Sequence, residues 1–538
     1  MTFSSIGTSI KKARPNDRGW RQLLRDRKES NVGEIPHDVK RVLLNIVHIS
    51  DTHICDAQSP ARVECLDRFA DPHHPMSASI GNLVGTYRAQ EMLTTQVLES
   101  MIQAINQLDF APITKQRIDT VLITGDLTDN AQQNELNWCN TLLRGGKLRP
   151  DSGTSRQWQG VGDFFYSEYF WNPSGTPKGE RTDFPRELYG YPIIPELLDA
   201  VRATFFATGL TKPYLVVHGN HDALLQGTIV PDEHLRTVVT SHEKTFELTD
   251  LDAIDALKKV SEIGPAEYPS PNTPQTKEVC ADLGRDFVTF DSWNRTFYNE
   301  EEDNGITFDL LGSARKYWRK DFEHITILGL DTVNPFGGWQ GSLDREQFIW
   351  LKTQIEELRT RYVVISSHHP LQDLYNNYTT DINSRVLSVE IEQFLVSRSN
   401  VIAWICGHTH RHRMAYFGPD QMHGFWQIEN ASLIDWPQQG RVIEIFQDQH
   451  EQVWIANTTL NHCGEVLTDI EHLKLDEVNQ LAGLSRVLSV NDWQRRGGVF
   501  SIENNEGELS DRNGIVGNGI REGSKTDHGA RKSCGHKV

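Results

Sequence analysis

The chain has 538 residues, of which 38% are hydrophobic and 24% charged, and its 73 acidic and 54 basic residues give a formal net charge of -19. This charge would repel DNA at long range, and because no dense run of lysine and arginine is present, we expect no nucleic-acid partner. No stretch approaches eighteen apolar residues, so we expect no transmembrane helix and no membrane partner. Seven scattered cysteines without a Cys-x-x-Cys pair, and no apolar export signal, predict reduced thiols in a cytoplasmic protein.

The two ends of the chain differ in composition from the middle. Residues 1–40 are polar and weakly periodic, which predicts an N-terminal arm over the surface of a main domain at 41–490. In residues 491–538, Gly, Asn, Asp, Ser and Lys dominate and aromatic residues nearly vanish. Such a segment cannot bury enough apolar area to offset its ordering entropy, so we expect a disordered tail.

Short apolar runs rich in β-branched residues recur through the main domain and predict buried strands. They are residues 42–50, 120–125, 214–219, 325–330, 362–367, 401–407, 441–446 and 453–460. Helical spacing occurs between them, at 93–108 and at 348–358, where Asp344 is the expected N-cap and Gln347 is placed for a capping-box contact. Strands that alternate with helices predict an α/β protein, a sandwich with helices outside.

Three insertions, at about 55–88, 145–195 and 223–320, interrupt this frame. Two of them directly follow a polar motif at a strand end, so we expect the insertions to leave the sheet at its functional edge. The second contains an aromatic run at 164–171, which could form the core of a lid or stack a nucleobase.

Five of the predicted strands end in Asp, Asn or His. The motifs are Asp51-Thr52-His53, Gly125-Asp126, Gly219-Asn220-His221-Asp222, His368-His369-Pro370 and Gly407-His408-Thr409-His410. In an extended chain, residues i and i+2 point to the same side, which predicts that the paired side chains of the first and last motifs converge. Most of these motifs alone are typical of a turn or a surface pair, and Gly219-Asn220-His221-Asp222 is the stronger signal. Five together, at the carboxyl ends of strands, indicate a metal site.

These motifs resemble the calcineurin-like metallophosphoesterase superfamily over roughly 42–460 without the insertions. The spacing Gly341-x-Leu343-Asp344-x-x-Gln347-x-x-Trp350-Leu351 adds to the resemblance. The sequence Gly-Asp-Leu-Thr-Asp at 125–129 is similar to that of the cyclic-nucleotide phosphodiesterase branch of this superfamily. The length of the chain and its insertions are similar to those of a bacterial subgroup of larger metallophosphoesterases. Purple acid phosphatases have a tyrosine ligand where Asp129 stands, which argues against an iron–tyrosinate centre. The resemblance implies a four-layer α/β/β/α sandwich capped by the insertions.

The resemblance also implies a pair of metal ions that share one bridging carboxylate. Asp51, His53, Asp126 and His410 would hold the first ion, and Asp126, Asn220, His368 and His408 the second. These nitrogen and oxygen ligands suit Mn, Fe, Zn or Co. Two such ions clamp the attacking and leaving oxygens of an in-line displacement and activate a hydroxide held between them.

Other residues receive roles beside the metals. His221 would stay unligated and protonate the leaving alkoxide, with Asp222 orienting it. Candidate substrate contacts are Asn220, His369 and Arg62, although Arg62 could be a surface arginine and His369 a residue behind the ligands. Cys406, between apolar neighbours, is expected to be a small buried residue and not a ligand.

The sequence therefore predicts a dinuclear-metal hydrolase of phosphate esters, acting as a phosphodiesterase on a small or nucleotide-like phosphodiester. The alternative within the enzyme class is a nucleotidase-like phosphomonoesterase. The alternative of another class is a non-catalytic metal-binding scaffold, which predicts the loss of His221 or of a ligand, and none is lost here.

Overall fold

The computed structural model describes residues 8–29, 39–80, 87–153, 157–257, 264–268, 274–300, 304–382, 384–420, 423–467, 470, 472–492 and 513–517. The strands are β1 (Thr8–Lys12), β2 (Leu23–Glu29), β3 (Val39–Ile49), β4 (Thr120–Ile123), β5 (Gly146–Leu148), β6 (Phe205–Ala207), β7 (Tyr214–Val216), β8 (Glu243–Glu247), β9 (Gln275–Glu278), β10 (Trp318–Asp321), β11 (Ile325–Gly329), β12 (Tyr362–Ser366), β13 (Val401–Cys406), β14 (Arg413–Asp420), β15 (His423–Glu429), β16 (Gln439–Asp448), β17 (Val453–Asn461) and β18 (Gly514–Gly517). The helices are α1 (Glu64–Asp67), α2 (Ser77–Ile80), α3 (Thr94–Asn106), α4 (Gln133–Arg144), α5 (Phe184–Tyr189), α6 (Leu197–Ala200), α7 (Glu233–Thr240), α8 (Asp250–Leu257), α9 (Phe290–Phe297), α10 (Arg345–Glu357), α11 (Ser388–Leu395) and α12 (Val478–Val490).

Two six-stranded sheets form the frame. The first has the order β18-β17-β16-β3-β4-β7, in which β3, β4 and β7 are parallel and β16 is antiparallel to β3. The second has the order β10-β11-β12-β13-β15-β14, in which β11, β12, β13 and β15 are parallel. All eight apolar runs form strands of these sheets. β14 and β15 were not among the predicted runs, because glycine and polar residues interrupt their apolar pattern.

The apolar core lies between the sheets and continues beneath the helices. One cluster contains Ile46 and Val121 of the first sheet together with Ile327 of the second, and it also includes residues of α3 and α4. A second cluster joins strands of the second sheet to α10 and α11, for example Ile365 to Phe348. These layers confirm the predicted four-layer α/β/β/α sandwich. None of the helices in the described ranges combines the length and apolarity needed to cross a membrane.

The predicted cap of α10 is present, but the capping box is only half formed. Asp344 accepts a hydrogen bond from the backbone N–H of Gln347 at 2.7 Å. The Gln347 side chain instead bonds to both backbone groups of Asp331, at 2.7 and 2.8 Å. The residue therefore ties the start of α10 to the end of β11 and does not reach back to its own cap.

The two ends of the chain contribute ordered pieces. β1 and β2 pair as an antiparallel hairpin in the arm, and Trp20 packs edge-on against Tyr191 of the second insertion. β18, which lies in the tail predicted as disordered, pairs with β17, because an edge strand offers unpaired backbone groups to a neighbouring segment. The tail residues 493–512 and 518–538 lie outside the described residues.

The aromatic run at 164–171 contributes to a core. Phe165, Phe170 and Trp171 are buried, and the last two belong to an apolar cluster that includes Leu484 of α12. This burial favours the lid-core interpretation of the run over the stacking of a base. Cys406 is also fully buried, beneath the second sheet, as expected for a small apolar residue.

Candidate metal centre

The predicted ligands gather at the carboxyl ends of five strands. Asp51 and His53 follow β3, Asp126 follows β4 and Asn220 follows β7 in the first sheet. In the second sheet, the ligands after β12 and β13 are His368, His408 and His410. Neighbouring parallel strands bring their carboxyl ends to one edge, which is where sites in α/β sheets lie.

Three of these residues form the first group, defined as Asp51, His53 and His410. Their candidate ligand atoms all lie within 4.8 Å of one another. Nε2 of His410 is 3.4 Å from Oδ1 of Asp51 and 3.2 Å from Nε2 of His53. This is the set predicted for the first ion, apart from the shared carboxylate.

Asp126 connects the first group to the histidines predicted for the second ion, His368 and His408. Its Oδ2 is 3.7 Å from Nε2 of His53 and 3.1 Å from Nε2 of His368. Nε2 of His368 is in turn 3.2 Å from Nδ1 of His408. The Asp126 carboxylate thus faces ligands of both predicted ions, as a bridging residue must.

Three of the imidazoles have the same arrangement, in which Nδ1 is held by an oxygen and Nε2 faces the cluster. The pairs are His53 with Oδ1 of Asp129 at 3.0 Å, His368 with the carbonyl of Thr124 at 2.8 Å, and His410 with Oδ2 of Asp435 at 2.6 Å. Such contacts fix the tautomer that carries the proton on Nδ1 and leave the Nε2 lone pair for a metal. Asp129 and Asp435 are therefore positioning residues that the sequence interpretation did not assign.

The site has the chemistry of a cation cage. With Nδ1 protonated, the Nε2 lone pairs of His53 and His410 face each other at 3.2 Å, which is repulsive unless positive charge lies between them. Although burial opposes it, the charge of Asp126 raises the pKa of His368 to about 9, so this edge stabilises positive charge. Oδ1 of Asn220 is buried and has no hydrogen-bond partner in the described part of the chain. A metal ion would place positive charge between these nitrogens and would be coordinated by Oδ1 of Asn220.

Five of the seven predicted ligands have a left-handed backbone. The φ angles are 53° for Asp51, 43° for His53, 50° for Asp126, 70° for His408 and 56° for His410. The predicted reason for convergence, strand alternation at i and i+2, is therefore wrong, although the side chains of Asp51 and His53 do converge. Non-glycine residues with positive φ cost free energy and persist where the surroundings hold them, which is typical of functional sites.

Glycines in the motifs allow the close approach of neighbouring ligands. A Cβ atom on Gly219 would lie 2.2 Å from Oδ1 of Asp126. One on Gly407 would lie 1.9 Å from Oγ of Ser50 and 2.4 Å from Oδ2 of Asp51. The glycines that precede Asn220 and His408 are therefore required sterically.

His221 lies beside the cluster and is oriented by the loop after β4. Its backbone N–H donates to Oδ1 of Asp126 at 2.8 Å, and its Nδ1 donates to the carbonyl of Asp129 at 2.8 Å. Its ring packs edge-on against His53, with centroids 4.6 Å apart. Burial lowers the pKa of His221 to about 4, so the ring is neutral at pH 7 until negative charge arrives.

Asp222 does not orient His221 as predicted. Its carboxylate accepts hydrogen bonds from the backbone N–H groups of Leu127 and Thr128, at 2.8 and 2.9 Å, and from that of Gly219 at 2.9 Å. The residue instead joins the loops after β4 and β7. The carbonyl of Asp129 takes the orienting role.

Two of the three candidate substrate contacts are occupied elsewhere. His369 is fully buried, and its Nδ1 and Nε2 bond to Oγ1 of Thr332 at 2.8 Å and to the carbonyl of Trp339 at 2.9 Å. It lies behind the ligands and not on a substrate rim.

Arg62 is neither a surface arginine nor free to bind a phosphate. Its guanidinium is buried, donates to Oε2 of Glu91 at 2.7 Å and bonds to the carboxylate of Asp129. Arg62 contacts Asp129, which in turn bonds to His53, so Arg62 does not contact this predicted ligand directly. Of the three candidate substrate contacts, only Asn220 lies at the sheet edge where the predicted ligands gather.

Comparison with known proteins finds a similarity to one family. The sequence model of the calcineurin-like phosphoesterase family matches residues 161–412, which include Asn220, His368, His408 and His410. No curated protein matches the chain. Solved structures that are similar include a purple acid phosphatase from yellow lupin (9% identity, TM-score 0.30, 81% of this chain and 53% of that one). A Staphylococcus aureus protein described as a 5'-nucleotidase gives 12% identity and a TM-score of 0.27, over 82% and 58% of the two chains.

A calcineurin-like phosphoesterase from Bacillus subtilis gives 11% identity and a TM-score of 0.24, over 84% of this chain and 99% of that one. The chain thus spans little more than half the length of the lupin and Staphylococcus proteins. Because all three TM-scores are low, the similarity to the family depends on the match over residues 161–412 and on the residues of the site. Asp51, His53 and Asp126 precede the matched range, yet the fold brings them to the same edge. Together, the match over residues 161–412 and the gathered ligands make the chain similar to the calcineurin-like phosphoesterase family.

Proposed function

We propose that the protein hydrolyses a small phosphodiester, nucleotide-like in its class, at a centre of two metal ions. The observation that carries the proposal is the bridging position of Asp126, whose Oδ2 faces one histidine from each predicted ion. When bound, two such ions supply the positive charge that clamps the phosphate oxygens and activates a water. Asp51, His53 and His410 would hold one ion, with Asp126 shared. The second would be held by Asn220, His368 and His408.

The protein's own residues supply the proton of the leaving group. Water adds to phosphorus, the phosphorus–oxygen ester bond breaks, and the departing alkoxide needs one proton. His221 has Nδ1 occupied by the carbonyl of Asp129, so Nε2 is the nitrogen available to the substrate. A phosphate anion beside the ring stabilises its protonated form, which is the form that donates.

The charges around the site favour a diester over a monoester. Arg62 and Arg88 both contact residues that hold the ligands, but Arg62 is paired with Asp129 and Glu91, and Arg88 with Asp435 at 2.9 Å. The charges of both arginines are therefore already neutralised by carboxylates, and neither arginine is available to bind the second negative charge of a monoester. A diester, with one negative charge, needs only the metals.

The test compares two esters with the same leaving group on protein loaded with Mn²⁺. Bis(4-nitrophenyl) phosphate should be cleaved with a larger kcat/KM than 4-nitrophenyl phosphate, and Asp126→Ala should abolish both reactions and lower the content of both ions. The opposite order would make the protein a phosphomonoesterase. Cleavage of neither ester, with both ions bound, would support a non-catalytic scaffold.

The partner implied by this proposal is a small phosphate ester. We also propose a cytoplasmic location, because the six cysteines of the described residues are free thiols, as is usual in a reducing compartment.

A further inference from the structure

One flank of the ligand cluster carries two aromatic residues that are accessible to solvent. The ring of Trp339 stacks on the ligand His408, with centroids 5.7 Å apart and planes inclined by 19°. Tyr375 meets Trp339 edge-on at 5.9 Å and 88°, and its side chain is 37% exposed. Trp339 is partly buried. We refer to Trp339 and Tyr375 as the aromatic corner.

The backbone holds the aromatic corner in place. The carbonyl of Trp339 accepts the hydrogen bond of His369 at 2.9 Å, which ties it to the residue after ligand His368. On the other side, the Asn376 side chain donates to the carbonyl of Gly337 at 2.9 Å, so the segments that carry the two rings are joined. The rings are therefore part of a preformed wall, which binds a ligand with little loss of entropy.

His221, the proposed proton donor, and the aromatic corner pack against different predicted ligands. His221 packs on His53 of the first group, whereas Trp339 packs on His408, which contacts His368. A phosphodiester has two ester groups, one that leaves and one that is retained. With the leaving group next to His221, a retained group that extends toward His408 would meet the aromatic corner.

We propose that the aromatic corner binds the retained ester group of the substrate and that this group is a planar aromatic ring, such as an aryl group or a nucleobase. The proposal rests on the diesterase function proposed above and adds the substrate's chemical class to it. Stacking of a planar ring on an aromatic side chain strengthens binding by about fivefold to 100-fold. A methyl group in the same position has no ring face to stack.

Binding tests the proposal without turnover. Diphenyl phosphate and dimethyl phosphate are both monoanionic diesters with poor leaving groups, and calorimetric titration of the Mn²⁺-loaded protein gives their affinities. We expect diphenyl phosphate to bind at least about fivefold more tightly. Trp339→Leu should remove that difference with the metal content unchanged. Phe206→Leu, at a ring that is 77% exposed on β6, is the matched control and should change nothing.

Turnover gives a second measurement. Bis(4-nitrophenyl) phosphate and methyl 4-nitrophenyl phosphate have the same leaving group and differ only in the retained group. Trp339→Leu should lower kcat/KM for the aryl ester by about fivefold to 100-fold and leave the methyl ester within about twofold. Equal losses on both esters, or equal binding of the two diesters by the unmodified protein, would overturn the proposal and reduce Trp339 to a support for His408. If diphenyl phosphate is preferred but neither ester is cleaved, the diesterase function fails while the ring-binding site stands.

Discussion

Replacement of Asp435 by Asn should weaken one metal site selectively. Asp435 accepts the Nδ1–H of His410 at 2.6 Å and is almost fully buried, so its charge strengthens the basicity of the ligand in an environment of low dielectric. A hydrogen bond to a charged group is worth about 1.5–3 kcal/mol. Loss of that charge should lower the metal affinity of the first site about 10–100-fold, which corresponds to about 1.4–2.7 kcal/mol.

The assay is competition for the metal with a chelator of known affinity, followed by elemental analysis. At limiting Mn²⁺, the Asp435→Asn variant should retain about one ion where the unmodified protein holds two. Asp183→Asn is the control, because Asp183 is also buried and also paired with an arginine, Arg186 at 2.5 Å, but lies in the second insertion. Equal loss of metal from both variants, or unchanged affinity after Asp435→Asn, would refute the reasoning.

Three further substitutions separate the roles of neighbouring residues. His221→Ala should keep both ions bound and lower turnover of an alkyl ester by about 10²–10⁴-fold, with a smaller loss for a nitrophenyl ester; a loss of metal would instead make His221 a ligand. Gly407→Ala places a methyl group 1.9 Å from Oγ of Ser50, so the metal content and the midpoint of thermal unfolding should both fall, and unchanged values would contradict the steric argument. Arg62→Met leaves the carboxylate of Asp129 buried without its partner and should cost about 3–5 kcal/mol of unfolding free energy, measured in urea, whereas a raised KM with an unchanged midpoint would support the phosphate contact.

The parts of the site that could be predicted from the sequence are those set by local pattern. A β-branched run followed by Gly-Asp or Gly-Asn-His-Asp predicts a strand with a polar side chain just after its end, and β4 with Asp126 and β7 with Asn220 follow this pattern. The left-handed backbone at Asp51 and His53 could not be predicted, because no sequence pattern at these non-glycine residues indicates a positive φ. It is imposed by the loops that surround the cluster.

The residues that were missed or misassigned depend on tertiary contacts. Asp435 lies in the loop between β15 and β16, and no spacing relates it to His410. Adjacency in sequence suggests that Asp222 orients His221, yet its carboxylate accepts hydrogen bonds from the backbone of the loop after β4. Adjacent residues can therefore serve different partners, which only the fold reveals.

The predicted ligands are divided between the two sheets, so metal binding would contribute to the stability of the fold. Each predicted ion takes ligands from both sheets: His410 joins Asp51 and His53, while His368 and His408 join Asp126. Because neither sheet alone has a full set, an ion binds tightly only when the sheets are docked. By linkage, a metal ion at a free concentration of about 100 times its dissociation constant stabilises the docked state by about 2.7 kcal/mol. The ions of the proposed centre would therefore also hold the two sheets together, and a change that loosens the packing of the sheets should release metal before the chain unfolds.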